Sequence, residues 1–213
     1  MLPNLIKPML AVEAQEPFDS DGHLFEIKWD GIRCLAFVEG GRVRLQSREL
    51  IDITAQFPEL GCLEQLPDGT VVDGELVAMD DDRPCLKKIQ GRAQLQDRHR
   101  IELLSQSSPV VYAVFDLIYL DGAAITAQPL LERRRALERL ISNLRADRII
   151  LPEAVLGQGR DLFQAVAKLG LEGIMAKSLD GYYRPGRRTA FWKKIKIKGY
   201  PQRGRHHSHS THP

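Results

Sequence analysis

Eight residues near the start of the chain, Glu26-Ile27-Lys28-Trp29-Asp30-Gly31-Ile32-Arg33, constrain the fold more than any other segment. They read as a strand running into a tight turn. Phe25, Ile27 and Trp29 fall on one face, and Glu26, Lys28 and Asp30 on the other. The first face can pack on a core while the second offers three ionisable groups to one cleft. A buried strand rarely carries Glu, Lys and Asp together unless they meet a ligand or one another.

Four later segments have the same character. Val71-Val72-Asp73-Gly74-Glu75-Leu76-Val77 puts Asp73 and Glu75 on one strand face. Residues 110–117 form an apolar run that contains Phe115. Leu171-Glu172-Gly173-Ile174-Met175-Ala176-Lys177 joins a helix to a strand. In Phe191-Trp192-Lys193-Lys194-Ile195-Lys196, alternation places Lys194 and Lys196 on one face, with Ile195 and Ile197 opposite. Arg48 follows a predicted hairpin in Gln46-Ser47-Arg48-Glu49.

The pattern Lys-x-Asp-Gly-x-Arg resembles motif I of the covalent nucleotidyltransferases: ATP-dependent DNA ligases, RNA ligases and mRNA-capping guanylyltransferases. The other segments resemble motifs Ia, III, IIIa, IV and V, in that order, over roughly residues 5–198. Their wording is most similar to the ligase domain of bacterial ligase D proteins. The resemblance implies an α+β adenylation-domain fold, with antiparallel sheets flanked by helices around a nucleotide cleft. It implies an ATP-dependent DNA ligase catalytic domain, with Lys28 as the nucleophile that takes AMP. That AMP would pass to the 5′-phosphate of nicked double-stranded DNA, for strand sealing in repair or recombination. Lys194 and Lys196 would hold the α-phosphate, and Arg48 a phosphate. Arg33 and Glu75 would hold the sugar, Phe115 would stack on the base, and Glu26 would lie near the adenine edge. Glu172 and Glu75 would hold a divalent metal, Mg²⁺ by default with Mn²⁺ as the alternative. Asp30, Gly31 and Asp73 would support the site. Two other functions fit the same residues: a nucleotide- or DNA-end-binding module without ligation, and an RNA-ligating or RNA-capping transferase.

The chemistry asks for a neutral lysine. At an ordinary pKa of about 10.4, only roughly one lysine in 2,500 is neutral at pH 7. Desolvation and nearby positive charge both favour the neutral amine, and Lys194, Lys196 and a bound metal would supply that charge.

Charge is unevenly spread. From residue 181 to 213 there are nine Lys or Arg and no acidic side chain, which leaves 21 basic against 28 acidic on the other 180 residues. A basic end on an acidic body suits contact with phosphate, and Arg184, Arg187 and Arg188 are the candidate DNA contacts. Cys34, Cys62 and Cys85 are odd in number and far apart, with no zinc-ligand spacing, and read as buried thiols of a reducing compartment. No apolar run reaches a membrane span, and residues 2–10 are interrupted by Pro3, Asn4, Lys7 and Pro8. The expectation is a cytoplasmic protein without a membrane partner.

Strands are expected over 24–29, 32–38, 42–46, 70–79, 109–119, 173–177 and 190–197, with a Gly40-Gly41 hairpin. Helices are expected over 57–66, 84–95, 129–144 and 161–169. In the 129–144 helix Leu130, Leu137, Leu140 and Ile141 form the apolar stripe, with arginines elsewhere. Gln90-Gly91-Arg92 is expected to face substrate. Lys193 stands where family members often carry an apolar residue, and is expected to weaken inner packing. Residues 1–198 are expected to form the adenylation domain and 199–213 a disordered, basic, His-rich tail. The family's oligonucleotide-binding barrel has no counterpart after the fifth segment, so a separate protein supplying barrel or DNA-binding function is an expected partner.

Overall fold

Strand alternation sorts the hydrophobic residues of this chain into three cores. The computed structural model describes residues 1–81 and 83–200. In chain order the elements are β1 (Leu10–Glu13), β2 (Ser20–Ile27), β3 (Ile32–Glu39), β4 (Arg42–Ser47), two 3₁₀ segments (Thr54–Gln56 and Pro58–Gln65), β5 (Thr70–Val77), β6 (Met79–Asp80), β7 (Arg83–Pro84), α1 (Leu86–Ala93), α2 (Arg98–Ser107), β8 (Val111–Leu120), β9 (Ala123–Ala124), α3 (Leu130–Ser142), β10 (Ile149–Ile150), β11 (Ala154–Gly157), α4 (Gly159–Lys168), β12 (Gly173–Ser178) and β13 (Arg188–Lys196). One sheet runs β1-β13-β12-β2-β11 and another β10-β8-β5-β3-β4, with β9 beside β8. β6 and β7 form a small ribbon. Most pairings are antiparallel; β1 with β13 and β10 with β8 are parallel.

On β3, Cys34, Ala36 and Val38 join an outer core with the 3₁₀ segments and helices, while Leu35 and Phe37 face inward. Val114 and Leu117 of β8 share the outer core; Phe115 and Ile118 face inward. The inward residues meet Met9, Tyr183 and Trp192, so the two sheets pack on each other through this middle layer. Phe25, Ile174, Ala176 and Ile195 point the opposite way, onto Val166 of α4. Both sheets are thus covered on both faces over much of their area. That is why their strands read as apolar runs with few charged residues, of which Glu26, Arg33, Glu75, Lys177, Lys194 and Lys196 turn toward the cleft while Lys193 turns the other way, onto Phe18.

The sequence reading of the main strands agrees with this architecture. The helix expected over 84–95 is shorter, because Arg83 and Pro84 pair with Met79 and Asp80. The segment 57–66 winds as 3₁₀, opened by Pro58. The short strands β1, β10 and β11 had no clear sequence pattern. Helix α2 was missed because only Ile101 of its ten residues is buried; its sign was the cap Asp97, whose carboxylate accepts from the Arg100 N–H at 3.1 Å.

Helix α3 holds a correction. Its stripe contains Arg133 and Arg134, both buried, as well as Leu130 and Leu137. Positions 130, 133, 134 and 137 share one face by helical spacing, so the two arginines point inward. Arg133 is 0% exposed and donates to both oxygens of Asp116, itself 0% exposed, at 2.8 and 2.9 Å. It also donates to the carbonyls of Gln128 and Gly181 at 2.6 and 3.0 Å.

Removing one partner of such a pair strands a buried charge. Asp116→Ala should lower unfolding stability by about 3–5 kcal/mol, and pairing it with Arg133→Met should recover much of that loss. Urea denaturation of the two variants checks this.

Candidate functional site

The two sheets pack closely at one end of the middle layer and part at the other, leaving a cleft of about 700 Å³. Strand period decides what enters it. Arg33 of β3, Glu75 of β5 and Phe115 of β8 line one wall. Glu26 of β2, Met175 and Lys177 of β12, and Trp192, Lys194 and Lys196 of β13 line the other. Residues 28–31 leave β2 and cross the cleft's end, and Arg48 and Glu49 stand at the rim.

Lys28 lies just past the end of β2. Its Nζ donates to Glu172 Oε2 at 2.6 Å, and Lys196 Nζ is 3.1 Å from the other oxygen of the same carboxylate. Glu172 is only 4% exposed. The backbone holds this arrangement: the Lys28 N–H donates to the Gly173 carbonyl at 2.9 Å. Two glycines permit the approach. A Cβ at Gly31 would run into the Leu76 carbonyl of β5, and one at Gly173 (φ +152°) into the Ile195 carbonyl of β13. Asp30, beyond Lys28, accepts from the Tyr200 hydroxyl at 3.2 Å. Burial and nearby Glu172 push its carboxyl above the ordinary range, against the opposing pull of Tyr200, Lys28 and Lys196.

Behind the opposite wall, Arg33 is clamped by Asp73 through two bonds of 2.5 and 2.6 Å. Tyr183 donates its hydroxyl to Asp73 at 2.6 Å. Burial works against the Arg33 charge, but Asp73 more than offsets it, so the guanidinium stays cationic. It lies 4.6 Å from the centre of the Phe115 ring and 5.2 Å from that of Trp192. Lys177 Nζ approaches the same rings at 4.2 and 4.7 Å. The two rings meet edge to face, 5.8 Å apart. Lys177 Nζ is 2.6 Å from Glu26 Oε2, and Arg134 Nη1 donates to Glu26 Oε1 at 2.8 Å. Burial lowers the Lys177 pKa, with Glu26 opposing and Arg134 adding to the shift.

Of the residues singled out in the sequence, the fold brings Glu26, Lys28, Asp30, Gly31, Arg33, Arg48, Glu75, Phe115, Glu172, Lys194 and Lys196 to this one cleft. Asp73 is behind the wall, holding Arg33. Arg188, grouped in the sequence with the DNA contacts, lines the cleft; Arg184 and Arg187 do not. Gln90 reaches the cleft as expected, but Arg92 is buried against Glu59 at 2.9 Å and faces no solvent. Lys193 places its ammonium 4.9 Å from the Phe18 ring centre, so its inner contact is a cation on an aromatic face. Sequence reasoning overlooked Lys177, Trp192 and Arg134. The period from Met175 to Lys177 was a legible signal, as was the spacing of Arg134 from Leu130. Of the tail expected over 199–213, Gly199 and Tyr200 are ordered: the Tyr200 N–H donates to the Ile197 carbonyl at 3.3 Å and its hydroxyl reaches Asp30; residues 201–213 lie outside the described residues. Among the described residues, no helix is long and apolar enough to cross a membrane.

A cleft between two antiparallel sheets, with a lysine on the turn between them and carboxylates and lysines around it, is the arrangement of an adenylation domain. The chain belongs to the ATP-dependent DNA ligase domain family, whose model matches residues 3–196. It is 40% identical over 174 residues to the multifunctional non-homologous end joining DNA repair protein LigD of Mycobacterium tuberculosis, covering 81% of this chain and 21% of that protein. It is 34% identical over 193 residues to the SPbeta prophage-derived DNA ligase-like protein LigB of Bacillus subtilis, covering 89% and 67%. Among solved structures it resembles a mycobacterial DNA ligase D complexed with ATP and MES, with a TM-score of 0.77 and 34% identity, over 92% of this chain and 62% of that one. The chain therefore spans about a fifth of the mycobacterial repair protein's length.

Glu75 generates a prediction. Burial pushes its carboxyl up to about 7, with Arg33 and Lys28 opposing and Asp73 and Glu172 adding to the rise. A carboxyl whose folded pKa is raised binds its proton more tightly in the folded chain, so stability falls as pH rises from the unfolded value, about 4.3, through 7. Glu75→Gln removes that loss. Its melting temperature should match the parent near pH 4 and exceed it at pH 8, by at most about 4 kcal/mol of stability and less where cleft water screens the charge. Thermal melts across pH 4–8 check this; an equal difference at every pH would contradict it.

Proposed function

We propose that this domain catalyses the lysine-adenylation chemistry of an ATP-dependent DNA ligase. The observation that carries the reading is the shared carboxylate: Glu172 contacts both Lys28 and Lys196, at 2.6 and 3.1 Å, at the end of a nucleotide-sized cleft. In this reading the base lies near Phe115 and Trp192, with Glu26 at its edge. Glu75 and Arg33 hold the ribose, and Lys194, Lys196 and Arg48 hold phosphates.

A divalent metal fits the donor set. Among the described residues no group of three or more His, Cys, Asp and Glu forms a metal site unaided. Glu172 and Glu75 offer two carboxylates, and Mg²⁺ commonly takes one or two, filling its other positions with water and substrate phosphate. Burial raises the Glu75 pKa, and a cation beside the carboxylate would favour its ionised form. Bound there, Mg²⁺ or Mn²⁺ supplies positive charge at the α-phosphate. Glu172 would then be shared between that metal and Lys28, which it contacts at 2.6 Å.

Lys28 first gives up one proton, with Glu172 the acceptor in reach. Its lone pair then forms a P–N bond to the α-phosphorus of ATP. The bond from that phosphorus to the bridging oxygen breaks, and pyrophosphate leaves with the electron pair. The nitrogen loses its second proton to an oxygen of the departing pyrophosphate as the phosphoramidate forms. Lys194 and Lys196 stabilise the charge on the phosphoryl oxygens. The AMP next passes to a 5′-phosphate of nicked DNA, whose 3′-hydroxyl displaces it and seals the strand. Arg184 and Arg187, outside the cleft, are the proposed backbone contacts, in keeping with the basic run that begins at residue 181. The non-homologous end joining relative supports a break-repair setting.

Two substrates separate the steps. Lys28→Ala should fail to seal a 5′-phosphorylated DNA nick with ATP but still seal one already carrying 5′-AMP, because only the first step uses Lys28 as nucleophile. Gel assays on DNA and RNA nicks check this. Sealing of pre-adenylated RNA but not DNA would favour the RNA reading, and binding without sealing of either would favour a binding module.

A further inference from the structure

Helix α3 reaches two sheets through adjacent arginines. Arg133 grips Asp116 on β8, the neighbour of Phe115, with bonds of 2.8 and 2.9 Å. Arg134 grips Glu26 on β2 at 2.8 Å and donates to the Pro152 carbonyl at 2.5 Å. β8 and β2 belong to different sheets. One helix therefore clasps both walls of the cleft near its aromatic end. Neither arginine lines the cleft.

The consequence falls on Glu26, which is 2% exposed. Arg134 donates to its Oε1 at 2.8 Å, and Lys177 Nζ pairs with its Oε2 at 2.6 Å. With both oxygens held, the carboxylate cannot rotate to suit an incoming base. What it still offers the cleft is acceptor capacity, since each carboxylate oxygen has a second lone pair. A fixed acceptor attracts an amino group and repels a carbonyl oxygen. At one ring position a 6-amino purine presents the first and a 6-oxo purine the second.

We propose that Arg134 is a positioning residue for base selection: from outside the cleft it locks Glu26 so that the site accepts a 6-amino purine and rejects a 6-oxo purine. This rests on the nucleotide reading above. Lys177, held by the same carboxylate, lies against Phe115 and Trp192, so the lock also steadies the two rings on which the base would lie. An arginine at this point offers two donors in a rigid plane, one for Glu26 and one for the Pro152 carbonyl; a lysine or methionine cannot span both.

The test uses ATP and ITP, which differ at position 6, amino against oxo, and in the N1 proton that goes with the oxo form. Calorimetric binding is measured on the Lys28→Ala protein, where no adduct can form, with and without Arg134→Met or Arg134→Lys. Arg134→Met should weaken ATP about 10-fold and leave ITP within about twofold, collapsing the selectivity ratio; the loss matches one charge-assisted hydrogen bond. Arg134→Lys should fall between. Adduct formation by the protein with Lys28 intact should show the same change in KM for ATP, with kcat held within about twofold. If Arg134→Met weakens both nucleotides equally, or only lowers the melting temperature, the residue is merely structural and the inference is wrong. If the parent with Lys28 intact binds ATP but forms no lysyl adduct, the catalytic reading fails while the selectivity ratio still decides the role of Arg134. Binding of neither nucleotide would overturn both.

Discussion

Glu172 is the contact on which the charge of this cleft depends. One carboxylate, nearly buried, accepts from Lys28 and Lys196, which come from the two strands flanking β12, Lys28 just past β2 and Lys196 at the end of β13. Alone, a carboxylate in that position would be costly to ionise, and two lysines so close would repel. Together the three groups satisfy one another. The arrangement also keeps the Lys28 nitrogen occupied. In the proposed reaction, a divalent cation that shared Glu172 would weaken this hold on Lys28 as phosphate arrives. The resting pair and the reactive amine are two states of one charge balance.

The same logic recurs around the site. Arg33–Asp73, Arg133–Asp116 and Arg134–Glu26–Lys177 are buried ion pairs between separate strands or between a strand and a helix. Such pairs contribute little net stability beside well-packed apolar groups of the same volume. What they give here is position. Each fixes a side chain that lines the cleft, or the neighbour of one, to a backbone element elsewhere in the sandwich. Phe115 and Trp192 lie between two cations, Arg33 and Lys177, each held by its own carboxylate. The aromatic end of the cleft is braced from behind before any base enters.

The sequence announced the strands and most of the site because alternation acts locally. Glu26 and Lys28, Asp73 and Glu75, and Lys194 and Lys196 are each two residues apart, and a strand sends both to one face. Sheet order was not legible that way; the family resemblance supplied only the two antiparallel sheets around a cleft, and the strand order comes from the structure. The misreadings have one cause. Arg133, Arg134 and Arg92 look like solvent-facing charges, yet each is buried because a carboxylate from a remote segment meets it: Asp116, Glu26 and Glu59. A pairing across more than a hundred residues, as between Arg134 and Glu26, leaves no trace in either local pattern. A run of basic residues likewise gives no sign of which member turns toward the cleft, and here it is Arg188.

The most direct measurement is to incubate the protein with ATP and Mg²⁺, digest it, and locate AMP by tandem mass spectrometry. The account predicts AMP on the peptide containing Lys28, none on those containing Lys194, Lys196 or Lys177, and no adduct when metal is chelated. AMP on another lysine, or an adduct that forms as readily without metal, would contradict it.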